Sequence, residues 1–200
     1  MRRAAMLVLF GALLVPLTLP AQAAERRSDR RQVATDKAQL VGDVSDVRRL
    51  ERLVAELDQA RAAGNAPQEQ SAQMRIAAML RQEAREGRRD ARQDARETAG
   101  SRRELGRDRA TGVPRGDDRR DLRDDRRDAA ASAERAKRQQ VIITELRQIQ
   151  PNVAAGNADA VSRQRALLDE FLAVAKADAK ATGRELGEDR RELREDRRRP

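Results

Sequence analysis

Arginine and carboxylate are the side chains with chemical capacity in this sequence, and they come interleaved. A heptad reading Arg, acid, Leu, any, any, Asp, Arg stands at 103–109, 120–126, 184–190 and 191–197. Its arginines, Arg103, Arg107, Arg120, Arg126, Arg184, Arg190, Arg191 and Arg197, form a candidate interaction surface. A guanidinium offers a fixed fork of donors that matches phosphate or carboxylate bidentately. The acids beside them limit that reading. Arg184, Glu188, Arg191 and Glu195 alternate in sign at four- and three-residue spacing, so the pairs are expected to hold each other and to support a solvated helix by a few tenths of a kcal/mol each.

Other chemistry is limited by what is missing. The chain has no His, Cys, Trp or Tyr. Ser-His-Asp and Cys-His nucleophile systems therefore have no members here, and neither do His/Cys metal sites. Paired carboxylates can do acid–base work only in a shaped, desolvated pocket that separates their pKa values. Nearly every Asp and Glu lies one to four residues from an Arg, the pattern of a solvated helix face. Asp117-Asp118 and Asp124-Asp125 lack the Asp/Asn-Gly loop of a calcium site and read as exposed acids. No catalytic, cofactor-binding or metal-binding residue is expected, and the chain is not expected to be an enzyme.

Charge is plentiful and diffuse. There are 43 Lys and Arg against 34 Asp and Glu, a net charge of +9, yet Arg197-Arg198-Arg199 is the single like-charge block. Nucleic-acid binders concentrate charge on one face, and single-strand binders add aromatic platforms. After Phe10, the sequence has one aromatic residue, Phe171. Specific nucleic-acid recognition is not expected; weak polyanion binding by the heptads is the most that the charge supports. A protein partner or self-association is expected.

The N-terminus carries an address. Met1-Arg2-Arg3 is basic, residues 4–19 are apolar, and Ala21-Gln22-Ala23 puts small residues at the −3 and −1 positions of a signal peptidase site. The expectation is export to the periplasm or the medium, with cleavage after Ala23. No later stretch is apolar enough to span a bilayer, so no membrane span is expected after cleavage.

The elements that must carry these side chains are helices. Residues 24–36 read as a disordered leader and a first helix is expected from Asp36 to Ala63, with Leu40, Val47 and Val54 seven apart and Leu50 and Leu57 between them. Gly64-Asn65 reads as a helix stop followed at once by an N-cap, with Gln68 completing a capping box. A second helix follows to about Ala110, its narrow face built on Ile76, Leu80 and alanines. Thr111 to Gly116 is a break. A third helix is expected to end at Pro151, and Gly156-Asn157 repeats the stop–start pair before a fourth, whose seam includes Leu168, Leu172, Ala175, Leu186 and Leu193.

Ala62-Ala63-Gly64-Asn65-Ala66 recurs as Ala154-Ala155-Gly156-Asn157-Ala158, which suggests a duplication. The expected fold is all-α: an elongated up-down bundle of two duplicated hairpins, 37–110 and 117–200, joined by a hinge at 111–116. One end is apolar; the other continues as a stalk of three charged helices. Phe171, Leu168, Leu172, Ile143, Leu146, Leu50, Leu53, Leu57, Ile76 and Leu80 are expected in the core. At the level of class the chain is similar to the Spy/CpxP periplasmic stress chaperones, small exported all-helical proteins, but it lacks their Leu-Thr-x-x-Gln motif and no residue role carries over. The first functional expectation is a non-enzymatic exported interaction protein that holds clients in a chaperone-like way. The alternatives are an Arg-rich binder of envelope polyanions such as lipopolysaccharide or DNA, and a structural spacer.

Overall fold

A computed structural model of the chain describes residues 19–111 and 116–196. Residues 1–18 of the expected signal, positions 112–115 of the expected hinge, and Arg197 lie outside them, as does the side chain of Leu193. Four helices make up the described chain: α1 (Leu19–Ala62), α2 (Ala66–Thr111), α3 (Gly116–Ala154) and α4 (Ala158–Asp196). At 1.5 Å per residue the 46 residues of α2 span about 69 Å. The architecture is an elongated all-α bundle. Each helix packs on two others, α1 on α2 and α4, and α3 on the same two, so the cross-section is a square.

Both short turns lie at one end. Gly64 and Gly156 take φ of 64° and 75°, the left-handed conformation that glycine adopts without a Cβ penalty. Each closes a Schellman motif: Asn65 N–H donates to Ala60 O at 2.9 Å and Gly64 N–H to Arg61 O at 3.0 Å, with Asn157 to Asn152 and Gly156 to Val153 repeating the pattern. The following asparagine then caps the next helix. Asn65 Oδ1 accepts from Gln68 N–H at 3.1 Å, and Asn157 Oδ1 accepts from Ala160 N–H at 2.9 Å.

The core fills the turn end. Leu50, Leu53, Val54 and Leu57 of α1 meet Ile76, Met79 and Leu80 of α2, Ile142 and Ile143 of α3, and Leu167, Leu168, Phe171 and Leu172 of α4. Nine of the ten expected core residues are buried; Leu146 is partly so. Farther along, the interior is thinner, held by Ala136, Ala175, Ala181, Leu122 and Leu186.

Two expectations are corrected. Residues 24–36 are part of α1, which therefore extends past the end set for it at Asp36; the segment holds Ala, Arg, Glu and Gln and has no Pro or Gly to stop a helix. These residues carry the backbone of α1 farther from the turn end than the expected start at Asp36. Pro151 does not end α3, which runs on to Ala154. Proline removes one donor there, but Ala155 N–H still bonds Pro151 O at 3.0 Å, so the last turn closes.

Candidate functional site

Three regions carry chemical or binding capacity. The first is the arginine surface. Arg103 and Arg107 lie on α2, Arg120 and Arg126 on α3, and Arg184, Arg190 and Arg191 on α4, all toward the end opposite the turns and all exposed. Arg103 Nε donates to Ala99 O at 3.0 Å. None of the seven forms an ion pair with a described residue, and Arg184 and Glu188 do not pair with each other. Most acids of these heptads, Glu104, Asp108, Asp121, Glu192 and Glu195 among them, have side chains outside the described set, so the described residues do not test whether these charges satisfy one another. For the described pair, Arg184 and Glu188, exposure is enough of a reason: an ion pair between two long solvated side chains gains little over hydration.

Pairing is concentrated at the turn end instead. Arg61 bonds Glu69 at 2.9 Å, Arg165 bonds Asp58 at 2.9 Å across α1 and α4, and Lys176 bonds Glu51 at 2.7 Å. Arg75–Glu56, Arg138–Glu170 and Arg163–Glu145 bridge neighbouring helices in the same way.

The second region is a chamber in the middle of the bundle, of about 60 Å³, to which all four helices contribute. Asp43 comes from α1, Glu83, Glu86, Asp90 and Asp94 from α2, Ser132, Arg135 and Gln139 from α3, and Asp178 and Thr182 from α4. Arg135 is the one cation among the lining residues, and its Nε donates to Asp178 Oδ1. Thr182 Oγ1 donates to Asp43 Oδ2 at 3.1 Å. Asp46, Glu83 and Glu86 each place a carboxylate oxygen within 4.8 Å of the others.

Crowded, half-buried acids resist ionisation. Burial, with Asp46, Glu86, Asp43 and Asp178 repelling, pushes Glu83 up to about 8. Burial, with Asp43 and Asp94 repelling, pushes Asp90 up to about 6. Asp43 is raised by burial against the Thr182 hydrogen bond, and Asp178 by burial against its pairing with Arg135.

Gln139 is 1% exposed, and its Oε1 has no hydrogen-bond partner. Its Nε2 makes a long 3.5 Å contact with Asp178 Oδ2, which fixes the amide with nitrogen toward that carboxylate. The oxygen faces α2 at Gly87, where a Cβ would lie 2.8 Å from it.

The reading of the acids as solvated surface missed this chamber, although the sequence carries a signal for it. Asp43 is one heptad before Leu50, Glu83 and Asp90 are one and two after Ile76, Asp178 is one after Phe171, and Gln139 is one before Leu146. Four apolar seams turn polar at the same level of the bundle.

The third region is an apolar groove of about 430 Å³ at the turn end, lined by Leu57, Met74, Ile76, Ala77, Leu80, Ile143, Leu146 and Leu168 with glutamines at its rim. Met74 is 61% exposed. No helix among the described residues is long and apolar enough to cross a membrane. No family model, no characterised relative and no solved structure matches this chain.

Proposed function

We propose that this chain is a non-enzymatic, exported binder of anionic polymers of the bacterial envelope, gripping them through its arginine heptads. The carrying observation is the state of those arginines: the seven that are described stand exposed on three helices of one end and pair with no described acid. An exposed guanidinium loses little when it exchanges water and counterions for phosphate, and released counterions supply the affinity. The signal at 1–23 supports an envelope or extracellular setting, where lipopolysaccharide and free DNA present such phosphates. The two hairpins are read as copies of one unit on the recurrence of the Ala-Ala-Gly-Asn-Ala turn, each with a charged helical extension.

The test is a salt titration of binding to lipopolysaccharide and to DNA. Log affinity should fall linearly with log salt. The triple change Arg184→Gln, Arg190→Gln, Arg191→Gln should reduce that slope by about 2–3. Absence of binding at about 50 mM salt, where such contacts are strong, would leave the spacer reading in its place. The groove at Met74 favours a second reading, the holding of apolar client segments. An aggregation-suppression assay that is insensitive to the arginine changes and lost in Met74→Glu would select it.

A further inference from the structure

A cluster of acids on its own is common on a charged protein, but here a buried neutral side chain beside the acids is out of place. Gln139 lies on a heptad position between Ser132 and Leu146, fully buried, with an oxygen that no donor meets. A buried carbonyl left without a partner has given up its water and gained nothing in return. The residues around it are predominantly carboxylates, acceptors when ionised, and Arg135 is already engaged by Asp178. Gly87 clears the space in front of the oxygen, since a Cβ there would sit 2.8 Å away. Glu83 and Asp90, four before and three after Gly87, lie on the same face of α2 and border that space. Both the orphan oxygen and the acids lack the same thing, a positive centre.

The geometry of the acids fits one. Oxygens from Asp46, Glu83 and Glu86 lie within 4.8 Å of each other, and an ion 2.3–2.6 Å from each spans that separation. The donors are all oxygen, which selects a hard cation over the thiolate- and imidazole-seeking metals. The chamber's 60 Å³ holds an ion with some of its water. We propose that one hard divalent cation, calcium above all, binds where the lining acids Glu83 and Glu86 meet Asp46 at the edge of this chamber, with these three as charged donors once their protons are displaced and Gln139, which lines the same chamber, as a neutral one. Calcium is favoured because it accepts irregular sets of six to eight oxygens, whereas magnesium demands a near-ideal octahedron. The ion ties α1, α2 and α3 together at the level where the apolar core stops. The site is separate from the arginine surface and does not depend on its role.

The test uses the full chain, freed of metal with a chelator and dialysed. Calorimetric titration with calcium chloride should give one site per chain. The melting temperature should rise by about 3–6 °C when free calcium exceeds its dissociation constant tenfold. Magnesium chloride should give a smaller rise at the same concentration. Glu83→Gln should remain folded, because it removes repulsion, and should lose the calcium response. Gln139→Leu should weaken the response without abolishing it. Arg184→Gln should retain it in full. If calcium, magnesium and manganese all leave the melting temperature of the parent chain unchanged at about 10 mM, the proposal is wrong; that is far above what a competent calcium site needs. An equal calcium response in Glu83→Gln, which would place any binding on the exposed acids instead, overturns it as well.

Discussion

The two halves of this bundle use the same residue types in opposite places. At the turn end the apolar side chains are inside and the charges outside, and the charges are paired across helices: Arg61 with Glu69, Arg165 with Asp58, Lys176 with Glu51. One level farther along, the same heptad positions put Asp43, Glu83, Asp90 and Asp178 in the interior, while the arginines beyond stand outside and unpaired by described residues. A helix of alternating charge can serve either end, because the pattern of signs does not decide which face turns inward. The apolar residues decide it, and where they thin to alanine the acids next in register are carried into the bundle.

That contrast should appear first as unequal stability. Phe171→Ala removes a fully buried ring from the packed end and should cost about 3–5 kcal/mol. Leu122→Ala, at the thin end among alanines and solvated charges, should cost about 2 kcal/mol or less, at or below the bottom of the range for buried leucine. Denaturant melts of the two variants check this. Equal losses would mean that the far end is packed as tightly as the near one.

The second effect is of pH, and its sign follows from Glu83. Its folded value of about 8 is raised from 4.5, so the folded chain holds this proton more tightly than the unfolded chain. The stability that goes with it is complete below about 4.5 and is lost as pH rises toward 8. Asp90, raised to about 6, loses its share lower in the same window. The charged groups around Glu83 are Asp43 and Asp46 from α1, Glu86, Asp90 and Asp94 from α2, Arg135 from α3, and Asp178 and Glu185 from α4. Arg135 keeps its charge throughout the window, and the acids repel more as each ionises. In metal-free buffer the melting temperature should therefore fall between pH 5 and pH 8, by several degrees on the order expected for a shift of this size. Glu83→Gln should flatten the decline. A parent chain that grows more stable over the same interval would mean that the chamber is open to water.

Much of the fold could be read from the sequence because the turns announce themselves. Gly64-Asn65 and Gly156-Asn157 each combine a left-handed stop with an N-cap, and both do what those residue types predict. The core followed from the heptads because Leu, Ile and Phe have few alternatives to burial. Two features resisted. The start of α1 was misplaced because a polar segment without Pro or Gly looks alike as helix or coil until it has a neighbour to lie on. The chamber was missed because each acid was weighed against the nearest Arg along the chain, while its surroundings were set by acids on other helices. Asp43 and Asp178 are 135 residues apart in sequence, yet each contributes to the repulsion on Glu83. Extending the heptad register of Leu50, Ile76 and Phe171 past the last apolar residue would have brought them together.

The smallest effect tests the boundary between the two halves at single-atom scale. Gly100 and Gly106 sit in α2 with nothing within 4 Å of where a Cβ would go. Gly106→Ala should stabilise the chain by about 0.5–1 kcal/mol, the ordinary gain of alanine over glycine in a helix. Gly87 is in the same helix but faces the Gln139 oxygen at 2.8 Å, closer than real Cβ atoms come to a neighbour. The carboxamide must shift to admit a methyl group, and in shifting it gives up the contact with Asp178 and enters the chamber. Gly87→Ala should therefore show little or none of the gain seen at Gly106, and it should weaken any calcium response that depends on the placement of Gln139. Thermal melts of the two alanine variants, with and without calcium, separate these contributions. If both variants gain stability equally and respond to calcium equally, Gln139 is not held where its oxygen matters.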